Sequence, residues 1–236
     1  MKKIFSLLSF RRISLGFVLT SLVVVLVLFL VVFHSFALFA KNYGAYEMVA
    51  AEHTNAAYIP STNDNPVRQE LNRLLAESLA KELPVADRLS HARRGLELLK
   101  VTEGQIDRIG NKGEEVTAAI IQLDSVSSGV GALPFRIPMK RMVDLAYKRF
   151  QYVADVRGLS YRANYHTAEI FNRIIRDNGE LTREHVLELN SALPLLEQQF
   201  DKRTNTYTQL QNTTVLLDNE RDTLWGGFWG WVYRTL

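Results

Sequence analysis

The stretch "VLELNSALPLLEQQFDKRTNTYTQLQNTTVLLDNERDTL", residues 186–224, decides the fold because one apolar stripe runs through its whole length. The stripe positions follow each other at alternating steps of three and four residues, which is typical of helices that pack side by side in bundles and coiled coils. We therefore predict one helix, roughly 60 Å long at a rise of about 1.5 Å per residue. Thr182 is expected to cap this helix, and Pro194 is expected to kink it near its start. The stripe comprises Val186, Leu189, Leu193, Leu196, Phe200, Arg203, Tyr207, Leu210, Thr214, Leu217, Arg221 and Leu224.

A second stripe with the same alternation predicts another long helix over residues 139–177. The sequence "DNGE" at 177–180 should end it, with Gly179 at the expected cap position. Because no two-residue alternation is sustained anywhere, we predict an all-α fold, an elongated antiparallel bundle of coiled-coil type. The pattern does not decide whether the stripes close within one chain or between two. The second stripe comprises Met139, Met142, Ala146, Arg149, Val153, Val156, Ser160, Ala163, Thr167, Ile170 and Ile174.

Two breaks divide the chain upstream of these helices. The sequence "IPSTNDNP" at 59–66 ends in Asn65 and Pro66, an N-cap residue followed by a proline suited to the first helical position. Residues 66–128 then carry apolar side chains at helical spacing, and Pro84 should kink or restart that helix. Its glycines either interrupt it or permit close contact with another helix. The clearest loop is "SSGVGALPFRIP" at 127–138.

Residues 13–40, "ISLGFVLTSLVVVLVLFLVVFHSFALFA", contain no formally charged side chain. A helix of this length reaches about 42 Å, enough to cross a hydrocarbon core of about 30 Å. Residues 1–12 carry four basic side chains and no acidic one. The positive-inside rule therefore places the N-terminus in the cytoplasm and residues 41–236 on the periplasmic or extracellular side. A cleavable signal peptide ending at "SFA" (35–37) is the alternative, but its apolar region would be unusually long, so we expect an uncleaved anchor.

The remaining composition excludes several classes of function. Outside residues 1–12 the chain has 24 basic and 25 acidic side chains, so no basic surface for nucleic acid is expected. The absence of cysteine excludes disulfides and thiolate metal sites. The five histidines lack metal-binding spacing, and no phosphate-binding loop or nucleophile elbow occurs. We therefore expect no enzymatic activity, no metal and no cofactor.

Two arginines occupy positions in the apolar stripes. Arg149 and Arg203 lie near the middle of their helices, where a guanidinium could bind an anionic ligand such as a carboxylate in a cleft of the bundle. Alternatively, each arginine extends from the edge of its stripe to water or pairs with an acidic residue of a neighbouring helix.

All three tryptophans lie in the C-terminal tail, residues 225–236. If residues 66–128 form one leg of the bundle and Pro84 does not reverse the chain, the helix that ends at Leu224 returns to the membrane. The tail is too short to span a bilayer, but its aromatic side chains suit the water–lipid interface. Binding to a protein partner and packing against the base of the bundle are the alternatives. The residues concerned are Trp225, Phe228, Trp229, Trp231 and Tyr233.

The segment "RRISLGFVLTSLVVVLVLFL", residues 11–30, resembles the first transmembrane segment of bacterial chemoreceptors and sensor histidine kinases. The resemblance implies a periplasmic four-helix bundle, followed in that family by a second transmembrane helix, a HAMP linker and a cytoplasmic signalling domain. In this sequence the aromatic tail stands where the second span would begin.

These observations predict four regions: a basic cytoplasmic tail (1–12), a transmembrane helix (13–40), an exported bundle (41–224) and an aromatic tail (225–236). We expect a non-catalytic single-pass membrane protein whose bundle binds a partner or senses a ligand. Its expected partners are the lipid bilayer and either another protein or a second copy of this chain. A structural accessory subunit of a larger membrane complex and a truncated chemoreceptor-like sensor are the alternatives.

Overall fold

A computed structural model describes residues 2–57, 66–180 and 182–236. Within these residues the chain is helical apart from short turns and has no strand, which confirms the all-α prediction. The α-helices are α1 (Lys2–Ala56), α2 (Pro66–Leu79), α3 (Val85–Ser128), α4 (Arg136–Arg176), α5 (Arg183–Gly226) and α6 (Phe228–Thr235), and a 3-10 helix spans Val130–Phe135.

The helices run alternately away from and back towards one end of the bundle, which we call the base. At the base, Phe36 and Phe39 of α1 pack with residues from the ends of α3 and α5 and the start of α4. Further along, Ala57 packs with Val153 of α4 and Leu210 of α5. At the far end α2 packs with α3, α4 and α5 in a second large cluster. This distal cluster comprises Leu74, Leu75, Ala92, Leu99, Ala163, Ile170, Phe171, Ile174, Leu189 and Leu196.

The chain reverses at Pro84, and this corrects the assumption that residues 66–128 form one leg. The first helical residue of α2 is Pro66, as predicted, but α2 continues in the direction of α1 and α3 returns. Pro84 permits the reversal because it has no backbone N–H to continue the α2 ladder, while its own carbonyl accepts from Asp87 at 3.1 Å at the start of α3. The bundle still has four legs, with α1 and α2 sharing one. The end of α5 therefore lies at the base, as predicted for Leu224 from the sequence.

All positions of the predicted α4 stripe are buried, and the α5 stripe positions are buried or half-buried. The α4 stripe packs against α1, α2, α3 and α5 of the same chain. The apolar stripe of α4 is therefore covered by helices of the same chain. On α5, by contrast, four large apolar side chains outside the stripe remain exposed: Leu187, Leu195, Val215 and Leu216.

The turn that ends α4 differs from the predicted cap by one residue. Asn178, with φ 52°, takes the left-handed position directly after the helix, and Gly179 follows with φ 74°. The Gly179 N–H donates to the Ile174 carbonyl at 2.8 Å, which completes a Schellman motif. Asparagine tolerates this conformation better than most residues, so glycine is not needed at the first position.

Glycine in α3 permits close contact with side chains of α4 without interrupting the helix, most clearly at Gly95. A Cβ built on Gly95 would lie 2.5 Å from Cε2 of Phe171 on α4. The ring of Phe171 is fully buried there. Gly104, in contrast, faces open space. The alternative of close contact therefore holds at Gly95.

The first helix contains a long, exposed apolar surface. Of the helices in the described ranges, α1 is the one long and apolar enough to cross a membrane. From Phe17 to Val31 nearly all its large apolar side chains are exposed, whereas Phe36 and Phe39 are buried in the bundle. Residues 41–56 carry Lys41, Glu47 and Glu52 and belong to the bundle. One uninterrupted helix thus joins the apolar segment to the core of the domain.

Candidate functional site

Arg149 is buried and paired with an acidic residue of a neighbouring helix. Its Nη1 lies 3.0 Å from Oε1 of Glu47, and its Nε donates to Oγ1 of Thr54 at 3.0 Å. The Arg149 side chain is only 6% exposed. Both partners belong to α1, so this arginine joins α4 to α1. The geometry corresponds to the alternative in which the stripe arginine pairs within the bundle.

Arg203 lies in a different environment, between α2, α4 and α5. Its guanidinium carbon is 5.4 Å from the centre of the Phe200 ring, and the guanidinium of Arg68 lies 3.1 Å from the centre of the same ring. The only described hydrogen bond of Arg203 is a long one, from Nη1 to Oγ of Ser160 at 3.5 Å. The ion pairs of the described residues include none with Arg203.

The electrostatics of this pair favour an anion. Burial lowers the pKa of Arg203 to about 10, and burial followed by the charge of Arg203 lowers the pKa of Arg68 to about 10. The Nε of Arg203 is buried and has no hydrogen-bond partner among the described residues. A carboxylate or phosphate bound at Arg203 would supply the charge-assisted hydrogen bonds that its Nε lacks and would offset the repulsion from Arg68. We call Arg68, Phe200 and Arg203 the arginine pair site.

A third cluster surrounds His53 near the end of α1. The His53 ring stacks on Phe150 of α4, with centres 5.7 Å apart. It borders a cleft of about 460 Å³ that also includes Glu114 and Arg157. Burial, and then the charges of Arg149 and Arg157, lower the pKa of His53 to about 4. The buried imidazole is therefore neutral at pH 7.

This burial predicts a loss of stability in mild acid. The pKa of His53 is about 4 in the folded chain, against 6.5 in the unfolded chain. Between these values the unfolded chain takes up a proton that the folded chain does not, so stability falls as pH drops from 6.5 towards 4. We expect a decrease on the order of 2 kcal/mol for wild type relative to His53→Gln. Melting temperatures of both proteins in detergent, measured from pH 7 to pH 4, check this; a constant difference across the range would contradict it.

The aromatic tail is divided between the bundle and the surface. Trp225 packs on Phe36 and Tyr43 of α1, with ring centres 5.9 and 5.5 Å apart. Trp229 packs on Phe29, with centres 5.4 Å apart. Phe228 and Trp231 are instead 62% and 57% exposed.

The backbone of the tail is held close to the end of α5. A Cβ on Gly230 would collide with the carbonyl oxygen of Trp225, so glycine is needed there for close packing. Arg234 also donates from Nη1 to that oxygen at 2.7 Å. Tyr233 is half-exposed and lies 6.0 Å from Phe36 between ring centres. Internal packing therefore accounts for Trp225 and Trp229, whereas Phe228 and Trp231 remain available for an external contact.

Comparison with protein-family models, with curated proteins and with solved structures finds no match. The likeness of residues 11–30 to the first segment of chemoreceptors and sensor kinases therefore remains a local resemblance. What the chain shares with those proteins is an N-terminal apolar helix and an all-helical domain.

No metal centre is assembled in the ranges 2–57, 66–180 and 182–236, where no three His, Asp or Glu side chains come close enough to hold an ion. Sequence reasoning identified Arg203 but missed Arg68. Arg68 lies on a separate helix, and only the packing of α2 on the bundle places it over Phe200. Its position in the sequence, two residues after Pro66, carries no signal of that contact.

Proposed function

We propose that this chain is a non-catalytic, single-pass membrane protein whose bundle senses an anionic ligand on the side of the membrane opposite its N-terminus. The observation that carries the proposal is the arginine pair site, in which the half-buried Arg203 lies beside a second guanidinium and itself has no carboxylate partner among the described residues. Burying a charge without a partner is costly, and an anionic ligand offsets that cost.

Two long helices, α5 and α1, connect this site to the membrane. Arg203 lies on α5, and α5 leads to α6, whose Trp229 packs on Phe29 of the apolar segment. Arg68 lies on α2, which follows α1 along the same leg. A ligand that draws the two guanidiniums towards itself would shift α5 relative to α1, and the shift would reach the base through both helices. An anion that binds one arrangement of these helices better than another would select that arrangement.

The proposal predicts opposite effects of one substitution with and without ligand. Arg203→Met should raise the melting temperature of the ligand-free protein, because it removes a half-buried charge that has no carboxylate partner among the described residues. Wild type should be stabilised by a small carboxylate or by inorganic phosphate, by about 2.7 kcal/mol at a hundred times the dissociation constant. The variant should lose that response. The measurement is thermal unfolding of the full chain in detergent, with a panel of mono- and dicarboxylates and phosphate.

Arg141→Met is the matched control, because Arg141 is an exposed arginine on α4 that lies 3.6 Å from Glu220. It should keep the wild-type response to every anion. If no anion shifts the melting temperature of wild type, or if Arg203→Met responds equally, the proposal fails.

A structural accessory subunit is the second candidate, and the apolar flank of α5 favours it. Val215 and Leu216 are 58% and 53% exposed, and Leu216 borders a cleft of about 380 Å³ between α4 and α5. Exposed apolar side chains around a cleft suit a protein partner. Under this alternative, a photo-crosslinker at position 216 captures one defined membrane protein, and anions have no effect on stability.

A further inference from the structure

The base of the bundle carries exposed apolar side chains on two separate elements. The 3-10 helix and the start of α4 expose Val130, Leu133 and Ile137, which are 78%, 58% and 70% exposed. The tail helix α6 exposes Phe228 and Trp231. Large apolar side chains in water are unfavourable, so a group of them at one end of a domain indicates a contact surface.

Both elements are fixed against the same short part of α1. A Cβ on Gly131 would collide with Oγ of Ser35 and would lie 2.8 Å from the carbonyl oxygen of Val31, so the 3-10 helix lies directly on these residues. Trp229 of α6 packs on Phe29. Phe135, at the end of the 3-10 helix, contacts both Phe36 and Trp229, with ring centres 5.4 and 6.1 Å apart. The two elements therefore both pack on α1 between Phe29 and Phe36, and they contact each other through Phe135 and Trp229.

This part of α1 is where a membrane would end. A hydrocarbon core of about 30 Å takes about 20 helical residues. Counted from Arg12, the last basic residue before the apolar run, these residues reach Val32. The exposure of α1 changes at the same position, because nearly all large apolar side chains from Phe17 to Val31 are exposed and Phe36 is buried. The exposed side chains of both elements thus lie level with the outer boundary of the span.

The charges beside these side chains fit a lipid headgroup region. Arg136 lies next to the 3-10 helix and donates to the carbonyl oxygens of Ser128 and Gly129, both at 3.1 Å. Arg234 lies on α6 and is exposed. Each apolar element therefore has an arginine beside it, the arrangement found in segments that lie in the membrane interface.

We propose that the base of the bundle docks onto the lipid bilayer through two adjacent elements, with Val130, Leu133 and Ile137 on one and Phe228 and Trp231 on the other. The proposal rests on the single-pass arrangement proposed above. The lipid surface itself is what covers these exposed side chains. Docking through both elements fixes the orientation of the bundle relative to the membrane. A movement of α5 at the base would then displace α1 within the membrane. Without docking, the same movement could instead rotate the whole domain relative to the membrane.

The absence of native cysteine permits a direct test with single labels. The full-length variants Leu133→Cys and Phe228→Cys carry a nitroxide and are reconstituted in vesicles of phosphatidylethanolamine and phosphatidylglycerol. Leu187→Cys is the matched control, because Leu187 is 64% exposed and lies at the far end of the bundle. We expect collisions with oxygen, relative to collisions with a water-soluble nickel chelate, to be several-fold more frequent at 133 and 228 than at 187.

Equal access of the nickel chelate to positions 133, 228 and 187 would overturn the proposal, because it would show a bundle that stands clear of the lipid. Protection of 133 and 228 in native membranes but not in vesicles would also overturn it, since a protein would then cover the surface. A membrane-impermeant maleimide added to intact cells separates these results from failure of the proposed function. If the maleimide labels Leu187→Cys from outside, the single-pass arrangement is supported whatever the result at 133 and 228. If it does not label Leu187→Cys, both proposals are contradicted.

Discussion

Replacing Glu47 by leucine should lower the free energy of unfolding by about 2 to 3 kcal/mol, because it leaves the guanidinium of Arg149 buried without a counter-charge. The Arg149 side chain is only 6% exposed, and its Nη1 lies 3.0 Å from Oε1 of Glu47. Breaking a fully buried pair costs about 3 to 5 kcal/mol. Glu47 is 29% exposed, so water screens part of the interaction and the expected loss is smaller. Thermal unfolding in detergent should show a melting temperature lower by roughly 5 to 10 °C.

The double variant Glu47→Leu, Arg149→Met provides the control for this prediction. It replaces both charges by apolar side chains of similar length, and such a replacement is often neutral. Its melting temperature should return most of the way to that of wild type. A double variant as unstable as Glu47→Leu would show that the loss comes from packing and not from the unpaired charge.

Replacing Phe171 by alanine should be the most destabilising single change in the distal cluster, at about 3 to 5 kcal/mol. The ring is fully buried between α3 and α4 and fills the space left by Gly95. Removing it leaves a cavity that the rigid helices around it cannot close. The measurement is again the melting temperature, followed by the loss of helical circular dichroism.

The control for this second prediction is Tyr165→Ala on the same helix. Tyr165 is 61% exposed, so its loss should change stability by no more than about 0.5 kcal/mol. A further variant tests the contact itself. Gly95→Ala should destabilise wild type, because the new Cβ meets the ring, and should cost less when Phe171→Leu is also present. Independent, additive effects of these two substitutions would contradict the packing described for Gly95.

Different parts of the fold were predictable to different degrees. The α4 stripe was readable along its whole length, because a helix surrounded by others must present one apolar side to them, and a periodicity of 3.5 residues records that requirement. The α5 stripe was equally regular, yet several of its positions, Phe200 and Tyr207 among them, are only half-buried. Periodicity records which side of a helix faces inward, but it does not record how many neighbours cover that side.

The candidate site shows the same division. Arg149 and Arg203 occupy equivalent stripe positions on α4 and α5, and no sequence pattern distinguishes them. In the structure Arg149 meets Glu47 of α1, whereas Arg203 meets Arg68 of α2 across Phe200. The difference depends on which residue of a distant helix lies opposite, and that register is set by the packing of whole helices. Sequence patterns within one helix do not contain it.

The sequence by itself determined the helical class, the apolar segment of α1, the inward side of α4 and the concentration of aromatic residues after Leu224. Each of these follows from the composition and spacing of neighbouring residues, to which local hydrogen bonding and apolar burial respond directly. The tertiary structure alone decided that the chain reverses at Pro84, that Trp225 and Trp229 pack on α1 while Trp231 faces outward, and that Arg203 faces another arginine. These contacts join residues far apart in the chain, and they are fixed only when four legs of the bundle pack together and exclude water.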